Sequence, residues 1–459
     1  MRWSGDRGEI EDRSPAPERS EGGGASETDA LGRFVVSVRP RIGASLLPLA
    51  LLACGTPFDR AVVTASIRDS AGVQIVTTTT GAWKDDEAWE VDSVPTTVLG
   101  ADENDPQQQW RSIEAAVRFA DGRIAVAVDG SIRLFGADGR FVRQLSRTGE
   151  GPGEFRRIGA LQLVAGDTLR AHDPWLTRVA YYAPDGRYAR EQPLALDRFN
   201  ALGRWVECVP MLLVDGSQLA CQEDSAAAGA SGTASSPDDA PGTHRRQIRR
   251  WAVPPTLDTA YPLGMYSGLT SHNIAVAPGH TVSVLHPFDP WPQIAGGGSP
   301  PRIALWASHD YRIELWTPAG VLERIVQRIG ARRATPRVAT SAERQYMART
   351  IGYLDATTRE RVLDAVPRPD SMPALVDLEF TRDGHLLVQR EGLLEMQSVS
   401  TWDVFAPDGI FLGSFQLPGN ARIIQADADF LLVQLRTSDA GVLLEVHRIR
   451  RPPSAPYTP

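Results

Sequence analysis

Along most of this chain, apolar and polar residues alternate in short runs separated by tight polar turns. A period of two places successive side chains on opposite faces of an extended strand. The runs on either side of Phe119-Ala-Asp-Gly122-Arg-Ile124 are of this kind. The turns fall into two families that interleave. One is aromatic, two residues, Asp or Ala, Gly, any residue, apolar. It appears at Phe135-Gly-Ala-Asp-Gly139-Arg-Phe141, Tyr182-Ala-Pro-Asp-Gly186-Arg-Tyr188, Trp316-Thr-Pro-Ala-Gly320-Val-Leu322 and Phe405-Ala-Pro-Asp-Gly409-Ile-Phe411, with a degenerate copy at Trp251-Ala-Val-Pro254-Pro255. The other comprises the turns at Gly122, Gly166, Gly216, Gly279 and Gly384, and the segment ending at Phe430. Glycine supplies the positive φ such turns need, and Asp or Pro presets the residue before it.

An inner hairpin followed by an outer one makes a four-stranded antiparallel blade. Inner hairpins recurring at roughly 45 residues or more predict an all-β six-bladed β-propeller over 72–450. The sixth set lacks its outer turn and fourth strand, since the chain leaves in Arg450-Arg-Pro-Pro. Two strand-like runs near the start, Gly72-Val-Gln-Ile-Val-Thr77 and Val94-Pro-Thr-Thr-Val-Leu99, are unpaired locally. A ring must remove its exposed edge, so this N-terminal segment is expected to complete the last blade. Insertions are expected at 224–245, 288–301 and 331–373. The last has helical spacing at Met347, Ile351, Leu354 and Val362 and predicts a small helical insertion between blades 4 and 5.

Residues 131–155 are similar to a known repeat. Ser131-Ile-Arg133-Leu-Phe135-Gly-Ala-Asp-Gly139-Arg-Phe141 resembles the NHL repeat. Gly149-Glu-Gly-Pro-Gly-Glu-Phe155 resembles a linker of bacterial six-bladed β-propeller lipoproteins. The likeness is strongest in the first two blades and is eroded by insertions in the third and fourth.

The termini are organised separately. Residues 1–33 are polar, charged and Gly/Ser-rich, and are expected to be a leader from an over-called start. Residues 34–53 combine a basic segment with a short apolar one, in the manner of a signal peptide too short to span ~30 Å of hydrocarbon. The ending Leu51-Leu-Ala-Cys54 resembles a bacterial lipobox, which implies cleavage before Cys54 and its acylation. Gly55, in place of Asp, gives no inner-membrane retention signal, so outer-membrane anchoring is expected, with 54–71 as the tether and 451–459 as a tail. Two further cysteines, Cys208 and Cys221, flank the Asp215-Gly216 turn on adjacent strands. A cross-strand disulfide and a pair of buried free thiols both fit.

Candidate chemistry is sparse. The formal net charge of −8 excludes an electrostatic footprint for nucleic acid. No nucleophile elbow, His-Glu-x-x-His, Cys-x-x-Cys or phosphate loop occurs. The connections that leave the second strand of each blade, or join blades, carry every long insertion. Function resides on variable loops held by a rigid scaffold, so that long-loop face is the candidate. It carries His172-Asp173-Pro-Trp175 and His286-Pro-Phe-Asp289-Pro-Trp291, along with His309-Asp310, Arg390-Glu391, Arg147, Glu150 and Glu154. In His172, Asp173, Trp175, His286, Asp289 and Trp291, Trp offers apolar contact and His/Asp orienting hydrogen bonds for a ligand. The alternative is strand termination by Asp-Pro and inter-blade packing by Trp. The expected role is a membrane-tethered scaffold binding a carbohydrate, peptide or protein, without a cofactor. The competing role is a propeller hydrolase, lactonase or lyase with a divalent metal in its central channel.

Overall fold

The computed structural model describes residues 65–84, 88–102, 104–194, 205–206, 215–223, 241–256, 259–286, 288–289, 291–330, 333–334, 337–368, 371–390, 399–437 and 441–451. Cys54, Cys208 and 224–240 lie outside them.

The turn chemistry read from the sequence sets the local geometry. Gly139, Gly186, Gly320 and Gly409 all have φ between 76° and 87°, and each amide donates back three residues, as Gly139 does to Gly136 (3.0 Å). The Asp before glycine accepts from the amide two residues on, at Asp138, Asp185 and Asp408. This local bond holds each outer hairpin in one register.

Among the described residues, six sheets of four or more strands follow in order, each with an antiparallel blade. Blade 1 is Ala115–Arg118, Ile124–Val128, Ser131–Phe135 and Phe141–Gln144. Blade 2 is Ala160–Val164, Thr168–Asp173, Arg178–Tyr182 and Tyr188–Pro193. Blade 3 is Trp205–Val206, Gln218–Glu223, Gly242–Val253 and Tyr261–Ala277, with His280–Leu285 as a fifth strand. Blade 4 is Gln293–Gly297, Arg302–Trp306, Arg312–Trp316 and Leu322–Arg328. Blade 5 is Asp377–Phe380, Leu386–Gln389, Val399–Phe405 and Phe411–Pro418. Blade 6 is Ala421–Ala426, Phe430–Arg436 and Val442–Arg450, completed by Thr97–Leu99.

The core lies in the seams between blades. In blade 1, Ala125 and Ala127 pack with Leu169 and Ala171 of blade 2. The alternate residues Ile124, Val126 and Val128 pack with Leu432 and Leu444 of blade 6. Both faces of this strand are therefore dry, and all five of its residues are buried. Similar clusters join blades 3 and 4, 4 and 5, and 5 and 6.

The N-terminal segment differs in part from expectation. Thr97–Leu99 and Glu90–Val91 pair with Val442–Arg450 and complete blade 6 as expected. Val73–Thr78 instead pairs, parallel, with the outer strand of blade 4. Between these, the amides of Ala82 and Trp83 donate to Phe411 and Leu412 of blade 5 (3.1 and 2.8 Å). As a strap, the described parts of 65–100 thus meet three successive blades in turn.

Two expectations about blade 4 are corrected. Part of 288–301 is blade 4's innermost strand, Gln293–Gly297. The turn at Gly279 is not its inner hairpin. It is the tip of an extension of blade 3, made by Tyr261–Ala277 and His280–Leu285. Helices α1 (Arg337–Thr350) and α2 (Ala356–Ala365), in the segment between blades 4 and 5, bury Met347, Val362 and Leu363, with Ile351 from the turn after α1, against Val282 and Val284 of this extension.

Candidate functional site

The two predicted His/Asp/Trp groups lie in different settings, and among the described residues no hydrogen bond, ion pair or ring contact joins them. In blade 2, Asp173 Oδ1 accepts from the amides of Trp175 and Leu176 (2.9 and 3.0 Å), and its Oδ2 accepts from the amide of Arg156 (2.8 Å). Its carboxylate is used to latch the linker entering blade 2 to the turn that holds Trp175. Trp175 itself is 63% exposed, so it does not pack between blades.

His172 is buried, and its Nδ1 has no hydrogen-bond partner among the described residues. Burial pushes its pKa down to about 4, against the pull of Asp173. An unfolded histidine titrates near 6.5, so below that pH the unfolded chain takes up a proton that folded His172 refuses. Stability from this group is complete above pH 6.5 and is lost as pH falls towards 4, by roughly 3 kcal/mol. Urea midpoints at pH 7.5 and 4.5 check this. His172→Gln should flatten the dependence, and an unchanged profile in that variant would refute the assignment.

The second group belongs to a four-residue cluster beneath the blade 3 extension. His286, fully buried, accepts at Nδ1 from the Phe288 amide (3.1 Å) and meets Glu343 Oε1 of α1 through Nε2 (2.5 Å). Because Nδ1 is an acceptor, the ring proton sits on Nε2 and is donated to Glu343. Burial also lowers the His286 pKa. Beside it, His272 bonds Asp289 Oδ2 through Nε2 (2.8 Å) and Thr243 through Nδ1 (3.1 Å). The two rings lie edge-on, 6.3 Å apart. The His286–Glu343 bond fastens α1 to the extension, and the His272–Asp289 bond ties the extension to the segment that leaves it. Among the described residues, no group of three or more His, Cys, Asp or Glu side chains could hold a metal ion. Trp291, 38% exposed, borders a cavity of about 140 Å³ together with Asp289, Gln293 and Leu375.

Sequence reasoning missed two other features. On the innermost strand of blade 5, Asp377 and Glu379 alternate with the core residues Leu378 and Phe380. Arg422 of blade 6 lies 3.7 Å from Asp377. Burial, then the neighbouring Asp377, holds the Glu379 carboxyl well above its ordinary range. The Asp-Leu-Glu-Phe alternation was the available signal.

The other is a cleft of about 1110 Å³ between blade 5 and the strap. Arg390, Thr401, Ser414 and Gln416 line its blade 5 wall, and Glu90, Asp92 and Ser93 of the strap, with Arg450, face them. Asp403, fully buried, lies behind Arg390. It accepts from Tyr311 Oη (2.8 Å), Ser414 Oγ (2.7 Å) and Arg328 (2.5 Å), and Arg390 Nε stands 2.9 Å away. Burial beside this carboxylate raises the Tyr311 pKa well above its usual value.

A family model described as "6-bladed beta-propeller" matches residues 112–213, which span blade 1, blade 2 and the entry to blade 3. The chain is a six-bladed β-propeller. No curated protein matches its sequence. Among solved structures, the propeller is similar to a putative exported protein from Bacteroides fragilis, at 11% identity and TM-score 0.40, over 83% of this chain and 100% of that one. It is also similar to a streptogramin B lyase (10%, TM-score 0.31, 80% and 98%) and to a gluconolactonase from Xanthomonas campestris (12%, TM-score 0.35, 74% and 86%). Likeness at this level leaves the activity of the propeller to be argued from its own residues.

Proposed function

We propose that this propeller is an envelope-anchored binding module for a carbohydrate, peptide or protein ligand. The cleft between blade 5 and the strap carries the reading. At about 1110 Å³ it has the size of a small-ligand site, and hydroxyl, amide and guanidinium groups converge on it. Trp175 and Trp291, both exposed, are the members of the predicted set left for ligand contact. The carboxylates beside them, Asp173 and Asp289, are already bonded within the protein. Anchoring rests on the lipobox-like Cys54 and its preceding segment. A Cys208–Cys221 bridge suits an oxidising compartment, and the buried position of Cys221 supports it. No helix among the described residues is long and apolar enough to cross a membrane.

A propeller hydrolase, lactonase or lyase is the second reading. Glu379, whose carboxyl burial pushes above the ordinary carboxylate range, favours it, because an upward shift of this kind suits a general acid.

One experiment addresses both. The full chain is expected to sediment with membranes and take up a palmitate analogue, and Cys54→Ser to be released. Unchanged partitioning of the variant overturns the anchor. The released protein is then screened on glycan and peptide arrays and analysed for metal. Binding that Arg390→Ala, or Trp175→Ala with Trp291→Ala, removes without a large change in Tm supports the module. Stoichiometric Ca²⁺ or Zn²⁺ without array binding moves the conclusion to the enzyme.

A further inference from the structure

The two walls of the cleft carry opposite surplus charge. Behind the blade 5 wall, Asp403 is shared by two guanidiniums, Arg390 at the cleft and Arg328 of blade 4. Among the described residues, one positive charge is left over. Asp403 is fully buried, so this charge is set in a dry surrounding and is screened little by salt. Arg390 Nε stands 2.9 Å from Asp403, its side chain is 22% exposed, and it lines the cleft. On the opposite wall the count reverses. Among the described residues there, Arg450 meets two carboxylates, Asp92 through NH2 (2.7 Å) and Glu90 through NH1 (3.4 Å). One negative charge is left over there. Between the walls stand Ser93, Thr401 and Gln416, groups that hydrogen-bond amides as readily as hydroxyls.

A ligand with a single charge would satisfy one wall and be repelled by the other, and a neutral ligand would leave both unmatched. We propose that the cleft takes a zwitterionic peptide of a few residues, its α-carboxylate on Arg390 and its ammonium on Asp92 and Glu90. An extended tripeptide spans at most ~10 Å, within what a cleft of this volume admits. A guanidinium whose ion pair runs through Nε keeps its terminal nitrogens facing a carboxylate in fork geometry. Ligand-free, the surplus charges cost solvation that a matching ligand offsets, so specificity comes from electrostatic pairing.

This inference rests on the binding-module reading, and the test separates the two. Calorimetry on the Cys54→Ser chain uses four probes: trialanine, N-acetyl-trialanine, trialanine amide and a neutral trisaccharide. Trialanine is expected to bind, and each cap to weaken it about tenfold or more, the usual size of one charge-assisted contact. Arg390→Gln should remove the effect of amidation while leaving that of acetylation. Asp92→Asn should do the reverse, and melting curves confirm that both variants fold. Equal binding of capped and free peptides overturns the zwitterion. Binding of the trisaccharide alone overturns it too, but leaves the binding module standing. No binding of any probe, with blank arrays as well, overturns both.

Discussion

Asp403→Ala is expected to cost about 3–5 kcal/mol, the usual effect of breaking a buried ion pair by removing one partner. The loss comes less from the bonds themselves than from what remains. Arg328 and Arg390 would share a dry seam with no carboxylate, and Tyr311 Oη and Ser414 Oγ would lose their acceptor. Asp403 also joins blade 4, through Tyr311 and Arg328, to blade 5. The damage should therefore appear as a loss of global stability rather than local fraying. Denaturant unfolding of the wild type and variant gives the number. A change below 1 kcal/mol would mean that water or a rearranged side chain replaces the carboxylate.

The strap should have a larger effect still. A chain beginning at residue 65 is expected to melt as the longer protein does, whereas one beginning at 101 should aggregate or lose its cooperative transition. Removing 65–100 uncovers the edge of Val442–Arg450, an aggregation-prone surface. It also deletes Val76 and Leu99, both fully buried, and Trp89 from the seam of blades 5 and 6. Each such side chain contributes about 1.5–3 kcal/mol. Size-exclusion chromatography and circular dichroism melts of the two chains decide it. A monomeric, cooperative chain from 101 would show that the ring closes without the strap.

Much of the architecture was legible because turns and alternation are local. Gly139 and Gly409 need positive φ wherever the rest of the chain lies, and Ile124–Val128 carries its strand period in five residues. Blade 4's first strand was hidden by its composition. Gln293-Ile-Ala-Gly-Gly297 has glycine where a strand would show a branched side chain. A Cβ at Gly297 would stand 2.7 Å from Phe380 Cβ, so packing against blade 5 decides that residue and local propensity does not. The strap failed for another reason. Val73–Thr78 and Thr97–Leu99 look alike as strands, and their partners lie far along the chain, on different blades. The candidate sites were least legible. His286 was found, but Glu343 comes from a helix 57 residues on. Arg390 was visible as a loop residue, whereas the Tyr311 and Arg328 that share its carboxylate, Asp403, come from another blade.

The strap also fixes an order in time. The carbonyl of Val446 meets Thr96 across 350 residues of sequence, and closure over that span gains nothing until the intervening blades exist. Each blade can form its hairpins from neighbours, so the first residues of the domain must wait longest for theirs. Assembly of this ring is finished by the segment that was made first.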